Sequence, residues 1–96
     1  MDRDVIYSYR EFLNKPGFHG AGFILADVIE TQDELSESWT SGRLTLADCD
    51  RRVNFGIDLG RDEIDNTLYK LDVMIEGLRG LRREVAKVRR GYPRKR

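Results

Sequence analysis

Thiols, imidazoles and long apolar runs are scarce in this chain. Its 96 residues include one cysteine, one histidine, one tryptophan and two prolines. A single cysteine leaves no intramolecular disulfide and no thiolate set for structural zinc. A reducing, cytoplasmic setting is the default expectation for such a chain. No stretch approaches the ~20 apolar residues needed to span a bilayer. The longest apolar run, after Phe23, is broken by Asp27. The start, Met1-Asp2-Arg3-Asp4, lacks the basic-then-apolar layout of a signal peptide. No internal repeat or low-complexity segment interrupts the chain, so one α+β domain is expected over residues 1–90. A basic tail follows at 91–96.

The same scarcity bears on chemistry. Enzymes need convergent nucleophile, base and orienting groups, and one histidine with scattered acids does not supply them. His19 lies among Gly17, Gly20 and Gly22. That glycine spacing matches neither a Walker A loop nor a dinucleotide fingerprint, so His19 reads as a loop or packing residue. Asp48 and Asp50 flank Cys49, as expected of a turn rather than a metal site. The expectation is a non-catalytic protein with no cofactor, no metal, no membrane contact and no small-molecule substrate.

Charge is what the chain has in abundance. Charged residues make up 35% of it, with 17 bases balanced by 17 acids. The balance hides a segregation. Residues 27–65 carry eleven acids against four arginines, and residues 66–96 carry ten bases against three acids. Such asymmetry suits head-to-tail association or an acidic partner for the basic end.

Hydropathy periods predict the elements. Val5, Tyr9, Phe12 and Leu13 share one helical face, which predicts a short helix over 3–13, stopped by Asn14-Lys15-Pro16-Gly17. Phe23–Thr31 is apolar on both faces and predicts a central strand. Thr31-x-x-Glu34 fits a capping box and a single helical turn, with Trp39 as an apolar plug in a polar loop. Arg43–Asp48 and Val53–Leu59 predict two more strands joined by a hairpin at Asp48-Cys49-Asp50-Arg51. A long helix follows from Arg61 to Gly91. The predicted architecture is thus α+β, in the order α-β-β-β-α: a short N-terminal helix, a three-stranded antiparallel sheet, and a long C-terminal helix packed on the sheet. That order is shared by double-stranded-RNA-binding domains. In that family the start of the last helix grips phosphates, and Arg61-Asp62-Glu63-Ile64-Asp65 would repel them. No kinship is drawn from it.

The long helix carries the functional expectation. Ile64, Leu68, Leu71, Ile75, Leu78, Leu81, Val85 and Val88 recur roughly every 3.4 residues, close to a coiled-coil seam. Gly77 and Gly80 predict a division into a sheet-covering first half and a projecting second half. In the second half Arg79, Arg83, Lys87 and Arg90 fall on one face, opposite Leu81, Val85 and Val88. The basic tail Arg94-Lys95-Arg96 extends them. The expectation is a homo-oligomer, a dimer, built through Leu78, Leu81, Val85, Val88 and Tyr92. Arg79, Arg83, Lys87, Arg90, Arg94, Lys95 and Arg96 would bind nucleic acid or an acidic protein surface. The alternative is a phage-type inhibitor or assembly factor using the acidic 27–50 region as a docking face or nucleic-acid mimic.

Overall fold

The computed structural model describes residues 2–17, 22–35 and 37–93. Four strands precede one helix: β1 Asp2–Phe12, β2 Phe23–Gln32, β3 Ser38–Asp48, β4 Arg51–Ile57 and α1 Ile64–Arg90. The strands form one antiparallel sheet in the order β1-β2-β3-β4. The chain falls into two compact units, Met1–Ile64 with the sheet and Asp65–Arg96 with the helix.

The element order is therefore β-β-β-β-α, which corrects the expected α-β-β-β-α. The segment read as an N-terminal helix is the first strand. Val5, Ile6, Tyr7 and Tyr9 are β-branched or aromatic, residue types that suit a pleated strand. Their period of two is hidden by an irregularity. Val5 pairs with Ile29 and Tyr7 with Val28, leaving one extra residue in β1 between them. This β-bulge shifts the alternation by one and makes the segment resemble a helical pattern.

The second correction concerns residues 31–42. Thr31 is a buried β2 residue rather than a helix cap. The connection is a tight turn built by Asp33, whose Oδ1 accepts from the N–H groups of Leu35 and Glu37, both at 2.9 Å. The Asp33 N–H donates to the Glu37 carbonyl at 2.8 Å. Strand β3 consequently begins at Ser38, and Trp39 stands on it half-exposed, opposite Thr31.

The β3–β4 hairpin forms as expected. Asp48 pairs with Arg51 across the two turn residues Cys49 and Asp50. Cys49 takes φ = 54°, the left-handed conformation that two-residue hairpin turns use at their first position.

Residues paired across an antiparallel sheet share a face. One face carries Tyr7 and Tyr9, Ile24, Ala26 and Val28, Leu44 and Leu46, and Val53, Phe55 and Ile57. The other is mixed. It carries Ser8 and Arg10, Leu25 and Asp27, Arg43 and Thr45, and Asn54. Thr45 donates to the Asn54 side-chain oxygen at 2.7 Å there. At its end, the Arg52 guanidinium lies 5.7 Å from the Phe23 ring centre, a cation–π contact across β3.

The core is thin. Among the described residues, Leu44 and Ala47 are the only buried hydrophobic side chains. Asp27, Thr31, Thr45 and Thr67 are buried polar ones. Among the described residues, no helix is long and apolar enough to cross a membrane.

Candidate functional site

The helix is set up by its leading turn. Asp58 Oδ1 accepts from the Gly60 N–H at 2.9 Å, and the Gly60 carbonyl accepts from Glu63 and Ile64 at 3.0 and 2.9 Å. Asp65 lies in the first turn of α1, and Lys87, Arg89 and Arg90 lie in the last. Both placements complement the helix dipole. At the far end the Gly91 N–H donates to the Val88 carbonyl at 3.0 Å and Tyr92 to Arg89 at 3.1 Å, which closes the last turn.

α1 runs unbroken through 27 residues, about 40 Å at 1.5 Å per residue. α1 continues through Gly77 and Gly80, so neither glycine ends the helix. An interior glycine costs a helix about 1 kcal/mol relative to alanine, and the 27 residues of α1, rich in Leu, Arg, Lys and Glu, carry two of them. Neither glycine is explained by crowding. A Cβ at Gly77 would meet nothing within 4 Å, and at Gly80 only the Arg83 guanidinium at 3.6 Å.

The two stripes seen in the sequence lie on opposite sides of this one helix. Arg79, Arg83, Lys87 and Arg90 follow at steps of four, four and three along one exposed face. Lys87 also pairs with Glu84 at 2.9 Å, an exposed contact of little energetic weight. On the other side Leu78, Leu81, Val85 and Val88 are 62, 60, 58 and 58% exposed. Large side chains so exposed at helical spacing form a patch of the kind that marks interaction surfaces.

Tyr92 is the remaining residue of the expected interface. It follows the helix, strongly exposed, and lines a recess of about 360 Å³ with Ala86, Arg89 and Arg90. Arg89 is thus a partner that periodicity alone misses, because it faces away from the Arg79–Arg90 row. The tail residues Arg94, Lys95 and Arg96 lie outside the described residues, as do His19 and Gly20.

The acids of 27–50 do not gather. Asp33, Glu34 and Glu37 sit at the β2–β3 turn, and Asp48 and Asp50 at the β3–β4 turn, at the two ends of an eleven-residue strand. Those ends are about 35 Å apart at the usual strand rise. Asp27 is withdrawn altogether, 5% exposed and shared between two partners. Ser8 Oγ donates to its Oδ1 at 2.8 Å, and Arg43 Nη2 to its Oδ2. The Arg43 and Ser8 hydrogen bonds hold the Asp27 carboxyl below its usual pKa, with burial opposing them. Cys49 is a free thiol, exposed in its turn. Among the described residues, no three His, Cys, Asp or Glu side chains gather as metal ligands.

No known protein family, curated protein or solved structure matches this chain.

Proposed function

We propose that this chain is a non-catalytic interaction protein that self-associates through α1 and binds nucleic acid with the basic side of the same helix. One observation carries the reading: a single 27-residue helix bears an exposed apolar stripe and, opposite it, an exposed basic stripe. A helix with two such sides can bury one against a second copy and leave the other for phosphates. The apolar spacing, roughly 3.4, suits a left-handed helix pair. The thin core points the same way, since small chains with little buried apolar surface gain stability by association.

On the basic side, Arg79, Arg83, Lys87 and Arg90 are spaced to follow a phosphate backbone. Next to that row, Tyr92, Arg89 and Arg90 line one recess, which brings an aromatic residue and two arginines to the end of the helix. That combination suits a stacked base with its phosphate neutralised. Arg94, Lys95 and Arg96 add to the positive charge. The competing reading, an acidic docking face over 27–50, is less well supported, because its acids are split between two ends of the sheet.

Fluorescence anisotropy with a short labelled oligonucleotide at about 50 to 200 mM salt tests the nucleic-acid part. Each phosphate contact contributes about 0.7 to 0.9 to the slope of log affinity against log salt. Replacing Arg79, Arg83 and Arg90 by Gln should lower that slope by about 2 to 3. Unchanged affinity and slope in that variant would remove the basic stripe from the reading. Native mass tests the other part: Leu81→Asp with Val85→Asp should convert a dimer to a monomer. A parent chain that is monomeric at tens of micromolar would end the self-association claim.

A further inference from the structure

The mixed face of the sheet holds an arrangement that the helix reading does not use. Three strands meet there around Asp27. Ser8 of β1 and Arg43 of β3 are its direct neighbours across the sheet, and they occupy its two carboxylate oxygens. Arg10 is two residues along β1 from Ser8 and therefore on the same face. Its charge reaches Asp27 and helps keep that carboxyl ionised.

Arg3 reaches this face only because of the bulge. Strict alternation would put it with Tyr7 and Tyr9 on the apolar side. The extra residue between Val5 and Tyr7 turns it over, so that Arg3 pairs with Thr31 on the Asp27 side. Bulges commonly re-aim side chains beside functional sites. Arg3, Arg10 and Arg43, with Ser8, Ser41 and Asp27, then line one open recess of about 440 Å³, within the size range of small-molecule sites.

The charges in this recess do not balance. Three arginines and one aspartate line it, a formal surplus of two positive charges. Asp27 is already committed to Ser8 and Arg43, and neither Arg3 nor Arg10 forms a salt bridge with a carboxylate among the described residues. Asp27 holds one edge of the Arg43 guanidinium, while the Arg43 side chain stays 54% exposed. The remaining N–H groups of Arg43 are thereby oriented and accessible. Like charges gathered on one face repel, and a bound anion relieves that repulsion.

We infer that this recess is a binding site for a phosphate monoester, held by Arg3, Arg10 and Arg43 with the Ser8 and Ser41 hydroxyls beside them. A monoester carries about −1.5 to −2 at neutral pH, which matches the surplus. A phosphodiester carries one negative charge and leaves half of it uncompensated. Planar guanidinium forks suit phosphate oxygens better than point charges do. The site departs from the expectation of no small-molecule ligand. It uses no residue of the helix, since its described lining residues lie on β1, β2 or β3.

Isothermal titration of the full chain with phenyl phosphate tests this at constant ionic strength. A dinucleoside monophosphate serves as the diester comparison, and sodium sulfate as a general anion. Saturable one-site binding of phenyl phosphate is expected, at least about tenfold tighter than the diester. Arg10→Gln and Arg3→Gln should each weaken it about tenfold, and Arg10→Lys less, because the charge stays and the fork is lost. Arg79→Gln on the helix should leave it unchanged, which separates this site from the proposed nucleic-acid surface. Arg3 and Arg10 are exposed, and circular dichroism of each variant confirms that folding is retained. Four results would each overturn the assignment: no saturable binding, equal binding of the diester, equal binding of sulfate, or full retention of binding in the Arg3→Gln, Arg10→Gln double variant.

Discussion

Gly42→Ala is a severe test of the sheet register, because a single methyl group would collide with the neighbouring strand. Gly42 sits on β3 directly between Val28 of β2 and Ile57 of β4. A Cβ placed there would lie 2.4 Å from Ile57 Cγ2, 3.0 Å from Ile57 Cβ and 3.4 Å from its carbonyl oxygen. Unstrained carbon–carbon contacts fall at about 3.5 to 4.0 Å. Rotating the Ile57 side chain could relieve the first clash, although β-branched residues have few χ1 choices. The second is set by the backbone, so β3 and β4 must separate by several tenths of an ångström at this pair. Overpacking of this kind costs about 1 to 3 kcal/mol. Replacing glycine by alanine recovers about 0.4 to 1 kcal/mol through the unfolded chain. The net expectation is a loss of about 1 to 2 kcal/mol, with a fall in Tm of about 4 to 8 °C per kcal/mol for a domain of this size.

Thermal and urea unfolding by circular dichroism would read it. Ile57→Ala supplies the second arm, since it removes Cγ2 while leaving Cβ. In that background the cost of Gly42→Ala should fall by about 1 kcal/mol, a coupling typical of touching residues. Equal costs in the parent and in the Ile57→Ala background, or a Gly42→Ala variant as stable as the parent, would refute the pairing.

Two further outcomes follow from single residues. Asp27 has a depressed pKa when folded, so its stabilising contribution is complete above the unfolded value of about 3.9 and is lost as pH falls through the lower folded value. The stability difference between the parent and Asp27→Asn should be flat from about pH 7 to about 5 and shrink below about pH 4 in urea titrations. A difference that stays constant down to about pH 2 would show that the carboxylate charge contributes nothing. Cys49→Gly should raise stability by up to about 1 kcal/mol, because glycine occupies φ = 54° without the steric cost of a Cβ. A lower Tm in Cys49→Gly would mean that the turn does not hold that conformation.

Much of the fold follows from short-range patterns that read without ambiguity. Val53, Phe55 and Ile57 alternate with small or polar residues, and β4 forms over Arg51–Ile57. Phe23–Thr31 is apolar on both faces, and β2 runs between two neighbours, ending one residue later at Gln32. The C-terminal helix forms over Ile64–Arg90, within the expected Arg61–Gly91. The misreadings share one cause, a local signal with two meanings. Val5, Tyr9, Phe12 and Leu13 fit a helical face, yet the β-branched and aromatic composition of 5–9 belongs to a strand whose alternation a bulge interrupts. Thr31 and Glu34 fit a capping box, yet Asp33 captures the backbone amides and forms a turn. Gly77 and Gly80 lie within α1, whose i to i+4 ladder tolerates both.

The linear sequence by itself determined the two stripes of the helix, because positions three and four apart share a side whatever else the chain does. It also determined the central place of β2 and the hairpin at Cys49, since alternation and turn chemistry are local properties. Which charges meet was a different matter. Arg3, Ser8, Arg10, Asp27 and Arg43 are spread over 41 residues, and no period links them. Only the antiparallel register aligns Ser8, Asp27 and Arg43 across three strands, and only the bulge turns Arg3 toward them. Pairing partners depend on where each turn closes, and one extra residue exchanges the two faces of a strand. The recess is therefore a product of tertiary structure, whereas the helix surfaces were legible before any strand was paired.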